Sequence, residues 1–214
     1  MNQDQLMEKL LNYFTSADYR EEVIQAKRDF FEDVGLVGDE TAYYEMRMSQ
    51  FLDWYLFTRE LSKTHLPPVQ YAIENNLLSG PDFDDDMIEG FSKCHHSLFE
   101  FIKVRGTDVI VRDLFTGSKI ELRDSQVTSG FNSDEIFETR VIPLRDNFVF
   151  AKGFCFHPAE AKSFILKEIK KVKHLDMSQK EALMFRLLKM RYKFEQYKHI
   201  RLEYIYTNDV KLRI

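Results

Sequence analysis

The sequence predicts an α+β protein: N-terminal helices, a five-stranded antiparallel bent sheet or small barrel, and two C-terminal helices packed back on it. Three observations lead there. Apolar residues recur at helical spacing up to about residue 92, alternate or run in short lengths from 93 to 157, and return to helical spacing after 158. Gly and Pro number only 8 and 5, and several fall between these segments as punctuation. The 214 residues are 44% apolar and include 19 Phe, enough to fill a core.

The elements follow in order. Leu6, Leu10, Leu11 and Phe14 mark a first helix. Thr15 or Ser16 is a cap for a second, with Tyr19, Val23, Ile24, Ala26, Phe30 and Phe31 as its apolar positions and Gly35 and Gly38 as its break. A third runs through YYEMRMSQFLDWYLFTREL and is apolar nearly all round, the pattern of a central helix. Pro67 and Pro68 open a short fourth over VQYAIENNLL, and Asp82 to Phe91 is a fifth. The strands are SLFEFIKV, TDVIVRDL, SKIELRD, EIFETRVIPL and NFVFAKGFCF. Tight turns join the first three, and SQVTSGFNSD crosses one end of the sheet. Pro158 starts a helix from Ala159 to Val172, and Ser178 with Glu181 is a capping-box signature for the last one. The final stretch, RLEYIYTNDVKLRI, is compatible with either helix or an edge strand.

Charge divides along the same lines. Residues 1–90 hold 19 acids and 7 bases, residues 91–157 hold 9 of each, and residues 158–214 hold 7 acids and 14 bases. The chain thus has an acidic helical region (1–92), a small antiparallel β-sheet or barrel (93–157) and a basic helical region (158–214). One compact unit is expected, since the sheet alone buries little. No apolar run reaches the ~18–20 residues of a membrane span, and the first residues lack the pattern of a signal peptide. Two cysteines fit a reducing compartment without a disulfide framework. A cytoplasmic protein without a membrane role is expected.

FLDWYLFTRE, VRDLFTGSKIEL, EIFETRVIPL and FCFHPAEA, in that order, resemble a group of uncharacterised bacterial proteins, many of which end in a SEC-C-type zinc-binding tail. The resemblance runs from about Phe30 to Ile169. It implies the same helix–sheet–helix order and brings no established activity. The cysteine-rich tail is missing here, so that zinc site is not expected.

Several constellations bear on chemistry. Asp113 and Gly117 flank the DLFTG turn, where an Asp carboxylate bonds backbone amides and Gly takes positive φ. Asp53 beside Trp54, with Glu45, Arg47 and Arg59, places charges in an apolar helix, and buried charges are usually paired. The run DFDDDMIEG lacks EF-hand spacing and suits the first turn of a helix. On the basic helices, Lys170, Lys171, Lys173, Arg186, Lys189, Arg191 and Lys193 are candidates for holding a protein partner or nucleic acid, with Tyr192, Phe194 and Tyr197 interleaved. Cys94, His95 and His96, with Cys155 and His157, offer two Cys and two His for zinc if the first and last strands pair. Otherwise no cofactor is implied.

No phosphate-binding glycine loop, GxSxG elbow, HExxH or dinucleotide fingerprint is present, which argues against the common enzyme classes. The expected function is a non-enzymatic interaction or regulatory protein whose partner the sequence does not name. Nucleic-acid binding through the C-terminal helices is one alternative. A metal protein or enzyme centred on Cys94 and Cys155 is the other.

Overall fold

A computed structural model describes residues 3–34, 43–80 and 83–209. The expected break at Gly35 and Gly38, the start of the fifth helix at Asp82, and residues 210–214 lie outside the described residues. The helices are α1 (Gln3–Phe14), α2 (Arg20–Val34), α3 (Tyr44–Phe57), α4 (Pro68–Glu74), α5 (Asp85–Ser92), α6 (Lys162–Val172) and α7 (Met177–Gln196). The strands are β1 (His95–Arg105), β2 (Asp108–Asp113), β3 (Lys119–Leu122), β4 (Ile136–Leu144), β5 (Asn147–Phe150) and β6 (Cys155–Phe156). The chain is α+β, with helices before and after a curled antiparallel sheet.

The strand order is β3-β2-β1-β4-β5, and β6 also pairs with β4. Two hairpins build one side, from Arg105 opposite Asp108 and from Arg112 opposite Lys119. The segment expected as a fifth strand is interrupted. Val141 faces Phe150, but Glu138 faces Cys155, so three steps along β4 are matched by five along the other chain. That insertion around Lys152 and Gly153 is a bulge that splits one expected strand into β5 and β6.

Two compact units divide the chain. One comprises α1–α5, except the last two residues of α2, together with Arg140–Gly153; the other comprises His96–Thr139 and the chain from Phe154 onward. The strand β4 contributes to both.

In the first unit α3 is the central helix, with Phe51, Tyr55 and Leu56 buried along with Gln50 and Asp53. Phe51 meets Phe30 of α2 at 5.7 Å and stacks on Tyr55 at 6.1 Å. The buried Tyr55 hydroxyl donates to the Phe14 carbonyl at 2.8 Å, which closes the end of α1. Arg59, just past α3, pairs with Glu22 at 2.8 Å and Asp29 at 3.4 Å, the carboxylate pairing expected for this helix. The second-helix cap differs from expectation. Thr15 donates its hydroxyl back to the Leu11 carbonyl at 2.7 Å, and Ser16 precedes a 3-10 turn (Ala17–Tyr19) without a side-chain cap bond.

In the second unit α6 and α7 pack on the sheet. Ile165 and Ile169 of α6 and Leu183, Met184 and Leu187 of α7 share a buried cluster with Leu98 of β1 and Ile136 of β4. The other face carries phenylalanines. Phe99 and Phe137 are buried, and Phe131, from the link before β4, stacks on Phe101 at 5.3 Å. The cap of α7 is Asp176, whose carboxylate accepts from the Gln179 amide at 2.9 Å. The helix thus starts ahead of the Ser178–Glu181 signature, because an acceptor two residues earlier allows more of it to form.

Candidate functional site

Among the described residues, each unit buries ionisable side chains around its share of the sheet. The first unit's cluster is built on α3 and the bulge. Asp53 is 2% exposed, and its Oδ2 accepts the Gly153 amide at 2.7 Å. A side chain at position 153 has no room, since a Cβ there lies 2.6 Å from that same oxygen. Burial pushes the Asp53 carboxyl up to about 6, against the opposing pull of Arg140, the Gly153 amide and Lys152. Arg140, 4% exposed, donates to the Thr58 hydroxyl at 2.6 Å and lies over the Phe57 ring at 6.0 Å. Cys94 borders this cluster. Burial pushes its thiol up to about 12, with Arg140 opposing and Asp53 adding to the rise. A thiol so raised disfavours the thiolate form.

The second unit's cluster is built on β1, β4 and β6. His96 on β1 and Glu138 on the adjacent β4 meet at 3.0 Å between Nε2 and Oε1. Cys155 lies opposite Glu138 in the β4–β6 register. His157 follows two residues on, and its amide donates to the Ile136 carbonyl at 2.9 Å. The His157 ring is 1% exposed, with Nδ1 3.1 Å from the Tyr206 hydroxyl and Nε2 buried without a hydrogen-bond partner among the described residues. Burial pulls His157 down to about 4; Glu138 opposes that shift and Arg191 adds to it. The ring is therefore neutral at physiological pH, in a site shielded from water.

The expected metal set is placed differently from the zinc arrangement. Zinc required the first and last strands to pair, but β4 lies between β1 and β6. Cys94 and His95 fall in the first unit, whereas His96, Cys155 and His157 fall in the second. Among the described residues, no three of His, Cys, Asp and Glu are grouped so as to hold a metal ion.

The basic residues divide into engaged and outward groups. Glu168 on α6 is 4% exposed and is held by Lys171 at 2.5 Å, Arg186 at 2.6 Å and Asn208 at 2.9 Å. Burial raises its carboxyl, but those three donors outweigh it and hold the group below the usual range. Arg191 pairs with Glu195 at 3.0 Å and donates to the Phe156 carbonyl at 2.5 Å. Lys193 is half-buried in α7. Lys170 and Lys173 are exposed and Lys189 is half-buried. Lys170, Lys173, His174 and Met177, at and around the α6–α7 turn, are all exposed. Leu175 in that turn is 48% exposed and Met177 is 41% exposed.

The remaining acidic constellations are structural. Asp113 accepts from the Ser97 hydroxyl at 2.6 Å, the Phe115 amide at 2.9 Å and the Thr116 hydroxyl at 2.9 Å. Gly117 has φ +79, as the turn chemistry requires. Within the acidic run, Asp84 caps α5, while Arg145 binds Asp86 at 2.7 Å and Asp84 at 3.0 Å.

Glu138, Glu168, Gly153 and Tyr206 belong to these clusters but carried no local signal. Glu138 reads as one polar position in a strand, and Gly153 as one more glycine near a turn. Their partners are distant in sequence, at 42 residues for His96–Glu138, 100 for Asp53–Gly153 and 49 for His157–Tyr206.

Residues 1–204 match the model of a family described as "Family of unknown function (DUF7986)", and the chain belongs to that family. No curated protein and no solved structure matches the chain. The family description names no activity, so the chemistry of the chain rests on its own residues. Among the described residues, no helix is long and apolar enough to cross a membrane.

Proposed function

We propose that this chain is a non-enzymatic interaction or regulatory protein of the cytoplasm. It holds an acidic protein partner against the turn between α6 and α7. The observation that carries this is the exposed Leu175 and Met177 set among Lys170, Lys173 and His174. Apolar side chains supply contact area and flanking cations steer an anionic surface toward it. Support also comes from the inward-facing chemistry. Burial raises the Cys94 thiol, which disfavours its thiolate, and the His157 ring is 1% exposed, out of reach of a substrate in solution. Both cysteines are thiols, which suits a reducing compartment.

Nucleic-acid binding is less well supported. Lys171, Arg186 and Arg191 are held by Glu168 and Glu195 within the same unit, which leaves fewer cations for phosphates.

A photo-crosslinking residue at position 175 tests the proposal. The wild-type background is compared with Lys170→Glu/Lys173→Glu, with mixed oligonucleotides titrated in parallel. The expected result is a discrete protein adduct that disappears in the charge-reversed background and weakens with salt. Adducts identical in both backgrounds overturn it. Salt-dependent oligonucleotide binding lost in the same variant assigns the surface to nucleic acid instead.

A further inference from the structure

The described part of the second unit after α7 is a segment held largely by its side chains. After α7 the chain makes a 3-10 turn (Leu202–Tyr204) and then buries Ile205 and Tyr206 at 3% and 4% exposure. The backbone hydrogen bonds described for this segment are all local, from Tyr204 to Arg201, from Ile205 and Tyr206 to Leu202, and from Thr207 to Ile205. Among the described residues, its contacts with the rest of the unit are made by side chains. Ile205 and Tyr206 enter the cluster formed by Ile165, Ile169 and Leu187. The Tyr206 ring meets Phe164 edge-on at 6.1 Å, and its hydroxyl reaches His157 Nδ1 at 3.1 Å. Asn208 donates to Glu168 at 2.9 Å and accepts from Arg186 at 3.1 Å.

We infer that Ile205–Asn208 is a removable plug, and that the groove it fills is a peptide-binding site occupied in cis. The occupant it takes from a partner is a segment of the same chemistry: an aliphatic residue, then tyrosine, then a side-chain amide two positions on. Each part has a matching receptor. Aliphatic side chains of α6 and α7 receive the first residue. His157 Nδ1 and the Phe164 ring receive the phenol. The Glu168–Arg186 pair presents an acceptor and a donor to the amide. A segment whose backbone bonds are local and whose long-range contacts are made by side chains leaves without disrupting a ladder, and such elements open at lower free energy than the core they cover. The site is separate from the α6–α7 turn and does not depend on the proposal made for it.

The test uses the full chain and a fluorescent peptide of residues 201–209. Wild type is compared with Tyr206→Ala/Asn208→Ala, in which the cis plug is weakened but the groove is intact. The variant is expected to bind the peptide at least about tenfold more tightly than wild type, because its binding-competent fraction is larger. A peptide with alanine in place of its tyrosine is expected to fail. Equal binding by wild type and a folded variant overturns the inference. Should the variant not fold, amide exchange of the wild type decides. Amides of Ile205–Thr207 exchanging about 100-fold faster than that of Leu187 support the plug; equal protection overturns it.

Discussion

The two units solve one problem with opposite chemistry. Each buries an ionisable side chain against a strand of the same sheet, Asp53 in the first and His157 in the second. Burial disfavours the charged form in both cases. It raises the carboxyl to about 6 and lowers the imidazole to about 4. Asp53 meets a backbone amide and the field of Arg140. His157 meets a phenol and, among the described residues, leaves one nitrogen without a hydrogen-bond partner. Acid therefore relieves the first unit and burdens the second. The same physical cause makes them respond to protons with opposite sign.

The largest expected effect breaks the first unit alone. A Cβ on Gly90 of α5 falls 1.9 Å from the Pro143 carbonyl oxygen, a backbone atom that cannot rotate away. Gly90→Ala gains about 1 kcal/mol of helix propensity. The clash is expected to outweigh this and leave a net loss above about 3 kcal/mol. Urea unfolding followed by Trp54 fluorescence measures it, since Trp54 lies in the same unit. An unchanged midpoint removes the close packing of α5 from the account.

The pH response tests the contrast directly. The folded pKa of His157 lies below its ordinary 6.5, so its contribution is complete above that pH and is lost as pH falls toward about 4. For Asp53 the folded value lies above the ordinary 3.8, so its contribution is complete in acid and is lost as pH rises through about 6. Each is worth on the order of 3 kcal/mol at its limit. Amide exchange, corrected for intrinsic rates, is expected to show α7 losing protection from pH 7 to 4.5 while α3 gains. His157→Gln is expected to flatten the first trend and Asp53→Asn the second. Parallel trends in both helices sink the comparison.

Smaller changes sharpen the second unit. Glu168→Gln weakens the acceptor shared by Lys171, Arg186 and Asn208, and is expected to cost about 2 kcal/mol by thermal unfolding, with partly exposed cations moderating the loss. Tyr206→Phe removes one hydrogen bond to His157 and is expected to cost about 1 kcal/mol. The smallest effect returns to the first unit. Arg145 sits at φ +54 in a two-residue hairpin loop, and its exposed side chain binds Asp84 and Asp86. Arg145→Gly relieves the backbone while losing those pairs, so the melting temperature is expected to stay nearly unchanged. A marked fall shows that the exposed pairs contribute more than their solvation suggests.

Within the sequence itself, whatever rests on near neighbours was legible. The spacing of Leu6, Leu10 and Phe14 marked α1, and Pro68 marked the first turn of α4. The DLFTG stretch announced a turn bonded by Asp113, and hairpin punctuation placed β1 to β3. These features depend on backbone propensity and on contacts a few residues apart. Tertiary structure decided what depends on distant partners. It split the last strand around Gly153 and set β4 between β1 and β6, whereas the choice of Asp176 over Ser178 as a cap was a local feature that the capping-box signature misplaced by two residues. It also paired Lys171 and Arg186 with Glu168, and Arg191 with Glu195. The physical reason is that burial, not spacing, determines which distant side chains share a site, and burial is a property of the folded chain.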